Sequence, residues 1–180
     1  MTRRAQAKYF WIGIPVLFIL GGLFHFLYGL CGRLPAVGLI APVNESIFEH
    51  AKMYPLPALL WYALVFLRRR NSISADPWFT AALLSITVQV SGMVLLYYFY
   101  TGALGFRSPV LDIINFLLTV ALGQIAGLHC YRHGKGLDYR LSLLIMLAVL
   151  SVFALLTVFP PRLPLFLDPK TGTYGIAGNS

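Results

Sequence analysis

Charge is what this sequence has least of. Only 11% of its 180 residues are charged and only six are acidic, where a soluble domain of this size carries about 25% charged residues. A chain so poor in charge cannot present most of its surface to water, which excludes an ordinary soluble domain. Cysteine is scarce as well, and Cys31 does not mark a lipoprotein, because Leu30 stands where a small residue is needed. The first apolar run is too long for a cleaved signal peptide and no small-x-small site follows it. There is no His-Glu-x-x-His, no Gly-x-Ser-x-Gly and no glycine-rich phosphate loop, and no inverted repeat of the kind transporters carry.

In place of charge there are long apolar runs. Hydrophobic residues make up 58% of the chain and the mean hydropathy is +0.76. Runs of about 20 apolar residues are the signal of a membrane span. They predict an all-α integral membrane bundle of five transmembrane helices forming one domain, with spans at 9–31, 45–67, 78–102, 109–131 and 139–159. Span 2 opens on two polar turns followed by Pro55 and Pro57, which a single bent helix would tolerate. Trp11, Trp78 and the Tyr97–Tyr100 run lie near span ends, as an aromatic belt does.

The net charge of +8 does not indicate nucleic acid, because the basic residues form no continuous stripe. They cluster at span ends: Arg3, Arg4 and Lys8; Arg68, Arg69 and Arg70; Arg132, Lys135 and Arg140. These nine of the 14 Lys/Arg place the N-terminus in the cytoplasm by the positive-inside bias. Arg33, Lys52, Arg107, Arg162 and Lys170 then scatter on the outer side, where the C-terminus also falls. Cys31 and Cys130 come at opposite ends of the bundle. Gly123 and Gly127 form a small-xxx-small pair for close packing, and Thr87 and Ser91 suit interhelical hydrogen bonds.

Asp76 and Asp138 lie in inner loops, but Glu45, Glu49, Asp112 and Asp168 all fall at the outer ends of helices. Ionisable groups at a membrane are costly and default to a functional reading. The densest segment is Pro42-Val-Asn-Glu-Ser-Ile-Phe-Glu-His-Ala-Lys52. On a helix Glu45 and Glu49 are i,i+4 neighbours with Lys52 beyond them. Asn44 or Ser46 can cap that helix, and Ser46-x-x-Glu49 is a capping box. Capping can explain Glu49, and Glu45 with it, but neither His50 nor the gathering of two carboxylates with Lys52 above a bilayer core. His25 lies about 6–9 Å inside the outer boundary of span 1, at the level of the acidic cluster. Ser108, Asp112, Asn115 and Thr119 form a stripe on span 4 that should face the interior. The tail from Pro160 is too apolar for a disordered terminus and turns at Asp168-Pro169, which predicts an ordered strap over the outer mouth with Asp168 and Tyr174 as contributors.

His25-Phe-Leu-Tyr28, Pro42-Val-Asn-Glu-Ser-x-x-Glu-His-x-Lys52, Tyr98-x-Tyr-Thr-Gly102 and Pro164-Leu-Phe-x-Asp-Pro-x-Thr-Gly-x-Tyr-Gly175 together resemble an uncharacterised bacterial membrane family, a domain of unknown function. The resemblance covers nearly the whole chain. It implies a small multi-pass protein of a bacterial inner membrane and supplies no activity. Phe48 stands where that pattern usually has tryptophan, and Gly29 where it usually has an acidic residue.

Three functions compete. In the first, His25, Glu45, Glu49, His50 and Asp112 hold Zn or Mn in a membrane-embedded hydrolase acting on a lipid or lipid-linked substrate. Glu45, Glu49, His50 and Asp112 then carry the chemistry, with Asn44, Lys52, Tyr100, Asn115, Asp168 and Tyr174 around them. In the second, the cluster binds a cation or proton in a small transporter. In the third, the chain is an accessory subunit whose polar cluster locks helix ends and docks a protein partner or a second copy. In all three the bilayer is the solvent.

Overall fold

The computed structural model describes residues 3–176; the side chains of Arg3 and Arg4, which the topology argument invokes, lie outside the described residues. The architecture is all-α. Its helices are α1 (Arg3–Leu30), α2 (Pro35–Gly38), α3 (Ile47–Ala51), α4 (Pro55–Arg69), α5 (Ala75–Tyr98), α6 (Pro109–His133) and α7 (Tyr139–Val158). A π-helical turn, Phe99–Ala103, extends α5, and a 3-10 turn, Pro164–Phe166, lies in the tail. Four helical segments, Ala5–Leu30, Ala75–Ala103, Pro109–His133 and Tyr139–Val158, are long and apolar enough to cross a membrane. Their outward faces carry large apolar residues such as Ile19, Leu95, Ile113 and Leu144, compatible with a lipid bilayer.

The span predicted at 45–67 is not one bent helix. It divides into α3 and α4 around Lys52–Tyr54. Proline is the reason: it lacks the N–H for the i−4 bond and its ring clashes with that carbonyl. Pro55 therefore cannot continue α3, and it takes the first position of α4 instead, where no N–H is needed. At 15 residues α4 is about 22 Å long.

Short connections fix which ends meet. Gln6 at the start of α1 donates to the Ser72 carbonyl beyond α4 at 2.8 Å. The Leu137 N–H donates to the Thr80 hydroxyl at 2.8 Å and the Tyr139 N–H to Asp76 Oδ1 at 2.9 Å. The basic clusters around Arg68–Arg70 and Arg132–Arg140 thus share one end of the bundle. The end of α1, α2, α3, the π turn and the tail make the other.

The α5–α6 contact is the tightest. A Cβ on Gly123 would lie 2.6 Å from the Ser85 carbonyl, and one on Gly127 2.9 Å from the Ala81 carbonyl. Both positions are glycine because backbone approaches there, as the small-xxx-small spacing predicts. Trp78 departs from expectation: it is fully buried, not in a surface belt. It meets Phe10 and Tyr131 edge-on and Tyr62 at a tilt, with ring distances of 5.1–5.5 Å, and donates to the Tyr62 carbonyl at 2.9 Å. Thr87 and Ser91 are corrected too, since each donates to a carbonyl four residues back on its own helix, at 2.9 and 2.6 Å. Buried hydrogen bonds between helices are made instead by residues such as Tyr62, Ser85 and Gln124.

Candidate metal centre at the acidic end

The site is built on α3. Ser46 is its N-cap and its hydroxyl accepts from the Glu49 N–H at 3.3 Å. Asn44 holds the approach, accepting from the Ser46 N–H at 2.9 Å and donating to the Gly175 carbonyl of the tail at 3.3 Å. Phe48 anchors the opposite face, with ring centroids 4.4 Å from Phe166 and 5.0 Å from Phe153. A helix of only five residues is marginal alone; the apolar stack and the tail stabilise it here.

Glu49 faces the protein interior. It forms a 2.6 Å ion pair with Lys52, both side chains 2% exposed. Its Oε2 also accepts from the Val43 N–H at 3.0 Å, and its Oε1 lies 2.9 Å from the Thr157 hydroxyl, whose single proton is shared between Glu49 and the Phe153 carbonyl. Lys52 completes its three donors with the Gly38 carbonyl at 2.6 Å and Thr157 at 2.9 Å. All three donors of Lys52 are engaged, and both Glu49 oxygens have a polar neighbour. Its role is to tie α2, α3 and α7 together.

Glu45, four residues earlier, has the opposite character. Its carboxylate is one-third exposed, with Oε2 3.6 Å from His50 Nε2 and Oε1 3.1 Å from Lys170. The His50 ring lies over His25 of α1, centroids 5.1 Å apart and 27° from parallel. Ligand atoms of His25, Glu45 and His50 all lie within 4.8 Å of one another, the one such trio among the described residues. A tetrahedral zinc with bonds near 2.1 Å places its ligand atoms about 3.4 Å apart, so closing the trio needs side-chain movements of about 1 Å.

Two details give the trio its direction. His50 Nδ1 lies 2.9 Å from the Ser46 carbonyl; a carbonyl only accepts, so Nδ1 carries the proton. In the neutral ring that leaves the Nε2 lone pair facing Glu45 Oε2, acceptor against acceptor, which a shared proton or a cation relieves. An Nδ1–H held by a backbone carbonyl is also how metal-binding histidines are oriented. On His25, Nδ1 is buried with no hydrogen-bond partner, an orphaned atom of the kind that needs an explanation.

The other expected residues separate. Asp112 lies outside the trio, exposed and hydrogen-bonded to the Tyr100 hydroxyl of the π turn. Its stripe turns inward only deeper, where Asn115 donates to the Met93 carbonyl at 3.1 Å and Thr119 pairs with Tyr54 at 2.8 Å. Asp168 is buried and organises the tail turn, accepting from the Lys170 N–H and the Thr171 hydroxyl at 2.9 and 2.8 Å. Tyr174 closes that turn through a bridge with Leu167. The tail is therefore an ordered strap, pinned again where the Ile176 N–H donates to the Thr157 carbonyl at 3.2 Å. Lys170 and Thr157 are additions to the residues expected from sequence. Asp168-Pro169 announces the turn that presents Lys170, but nothing in the apolar run of α7 announces Thr157. A cavity of about 500 Å³ between α5 and α7 is lined by Ile86, Val90, Val94, Met146 and their neighbours and holds none of these residues.

Fold and site together define an all-helical protein with membrane-capable helices and a cluster of polar side chains at one end of its bundle. The chain belongs to a family of unknown function (DUF6512), whose model matches residues 1–176. No curated protein and no solved structure matches it.

Proposed function

We propose that this chain is a five-crossing membrane protein with a zinc site on its extracytoplasmic face, and that the site hydrolyses a lipid or lipid-linked substrate. The observation that carries the reading is the meeting of His25 from α1 with Glu45 and His50 around α3. Two imidazoles and one carboxylate are a donor set that zinc accepts, and three protein ligands leave the open position characteristic of catalytic zinc. A metal held there lowers the pKa of bound water to about 7 and polarises a carbonyl or phosphoryl oxygen. The chain's own part is to hold the ligands. Ser46 orients His50, the Glu49–Lys52 lock fixes α3, and the strap bounds the site on the tail side.

In this reading α3 and α4 together make the second crossing, and the basic end of the bundle is cytoplasmic by the positive-inside bias. The membrane is a bacterial inner membrane, in keeping with the resemblance of the motifs. Cysteines placed at residues 45 and 69 should label from opposite sides; labelling from the same side would remove the topology.

The site itself is tested by titrating zinc into the purified, metal-stripped protein in detergent. Wild type should bind one zinc, and His25→Ala, Glu45→Gln and His50→Ala should each weaken it at least 100-fold while the metal-free melting temperature holds. Zinc-dependent ester hydrolysis on mixed lipid substrates should disappear with the same three changes. Zinc affinity indifferent to all three would refute the site.

A further inference from the structure

Lys170 is the remaining charged group on the trio, and the metal reading leaves it without a partner. Its ammonium lies 3.1 Å from Glu45 Oε1 and its side chain is 70% exposed. Chance does not hold it there: its backbone N–H is fixed by the buried Asp168, and the strap that carries it is tied to Asn44 and Thr157. Once Glu45 turns to a metal, the ammonium loses part of its counter-charge. A divalent cation, one carboxylate and one ammonium leave an excess of two positive charges at a half-open mouth. Asp112 is not a member of the trio and is held at Tyr100 instead, and the Glu49–Lys52 pair is neutral within itself.

We propose that this excess makes the loaded site a receptor for a phosphate group, with Lys170 gripping one phosphate oxygen while another approaches the metal. The inference rests on the zinc reading and narrows its substrate class to phosphate-bearing lipids or their headgroups. An ammonium recognises phosphate as a point charge and leaves the other oxygens free for the metal. In this scheme Lys170 exchanges its Glu45 contact for the anion when the metal binds.

The experiment uses the zinc-loaded full chain, with Lys170→Gln and Lys170→Arg beside wild type. One arm titrates inorganic phosphate in neutral detergent. The other measures the thermal shift in phosphatidylcholine nanodiscs with and without phosphatidic acid. Wild type should bind phosphate, Lys170→Gln should lose at least tenfold in affinity, and Lys170→Arg should retain most of it, with zinc affinity changing little across the three. A response to phosphatidic acid alone assigns the group to a lipid headgroup, and a response to free phosphate alone to a soluble donor; both support the anion site. If zinc binds but phosphate affinity is unchanged by Lys170→Gln, this inference falls and the metal site stands. If zinc does not bind at all, both fall.

Discussion

Glu45 and Glu49 are four residues apart and look alike in sequence, yet they do opposite work. Glu49 is buried, paired with Lys52 and satisfied on both oxygens. Glu45 is one-third exposed, opposed by a histidine nitrogen and touched by one exposed lysine tip. A buried carboxylate paired with an ammonium and engaged at both oxygens has little left to offer a ligand. A half-open one facing another acceptor does. The lesson is that a polar cluster at a membrane face is sorted by saturation and not by composition: the saturated half holds the fold and the unsaturated half is the place to look for chemistry.

The contrast can be broken from the structural side first. Lys52→Ala should be the most damaging change, lowering stability by about 3–5 kcal/mol because it leaves Glu49 buried and uncompensated; denaturant unfolding in micelles measures it. Phe48→Ala should cost roughly 3 kcal/mol by removing the ring packed on Phe153 and Phe166. It should also raise hydrogen exchange across 163–176, which an unattached tail would not show. Ser46→Ala removes the N-cap of α3 and should cost about 1 kcal/mol, with a smaller exchange increase limited to 47–51. Glu45→Gln should change stability by less than about 1 kcal/mol, as exposed ion pairs do. A Glu45→Gln protein as unstable as Lys52→Ala would erase the distinction between the two carboxylates.

Much of this was legible in the sequence. Four long apolar helices fall within a few residues of the predicted spans, because hydropathy over 20 residues is a strong and redundant signal. The Gly123/Gly127 contact and the ordered strap were legible for a similar reason: glycine spacing and an Asp-Pro turn act locally. What sequence could not settle was direction. Helical spacing placed Glu45 and Glu49 together, but Glu49 turns to α7 through Thr157, a partner 108 residues away. Asp112 shares a stripe with Asn115, yet it lies at the helix end where Tyr100 of the π turn captures it. The second span was misread as continuous because prolines in membrane helices can kink or break, and here Pro55 restarts the helix.

The most direct measurement is zinc-edge X-ray absorption on the protein reconstituted with one equivalent of zinc, in wild type and in His25→Ala. The account predicts a low-coordinate site with two imidazoles and oxygen donors, reduced to one imidazole in the variant. A hydrated zinc without imidazole scattering, or a spectrum that His25→Ala leaves unchanged, would contradict it.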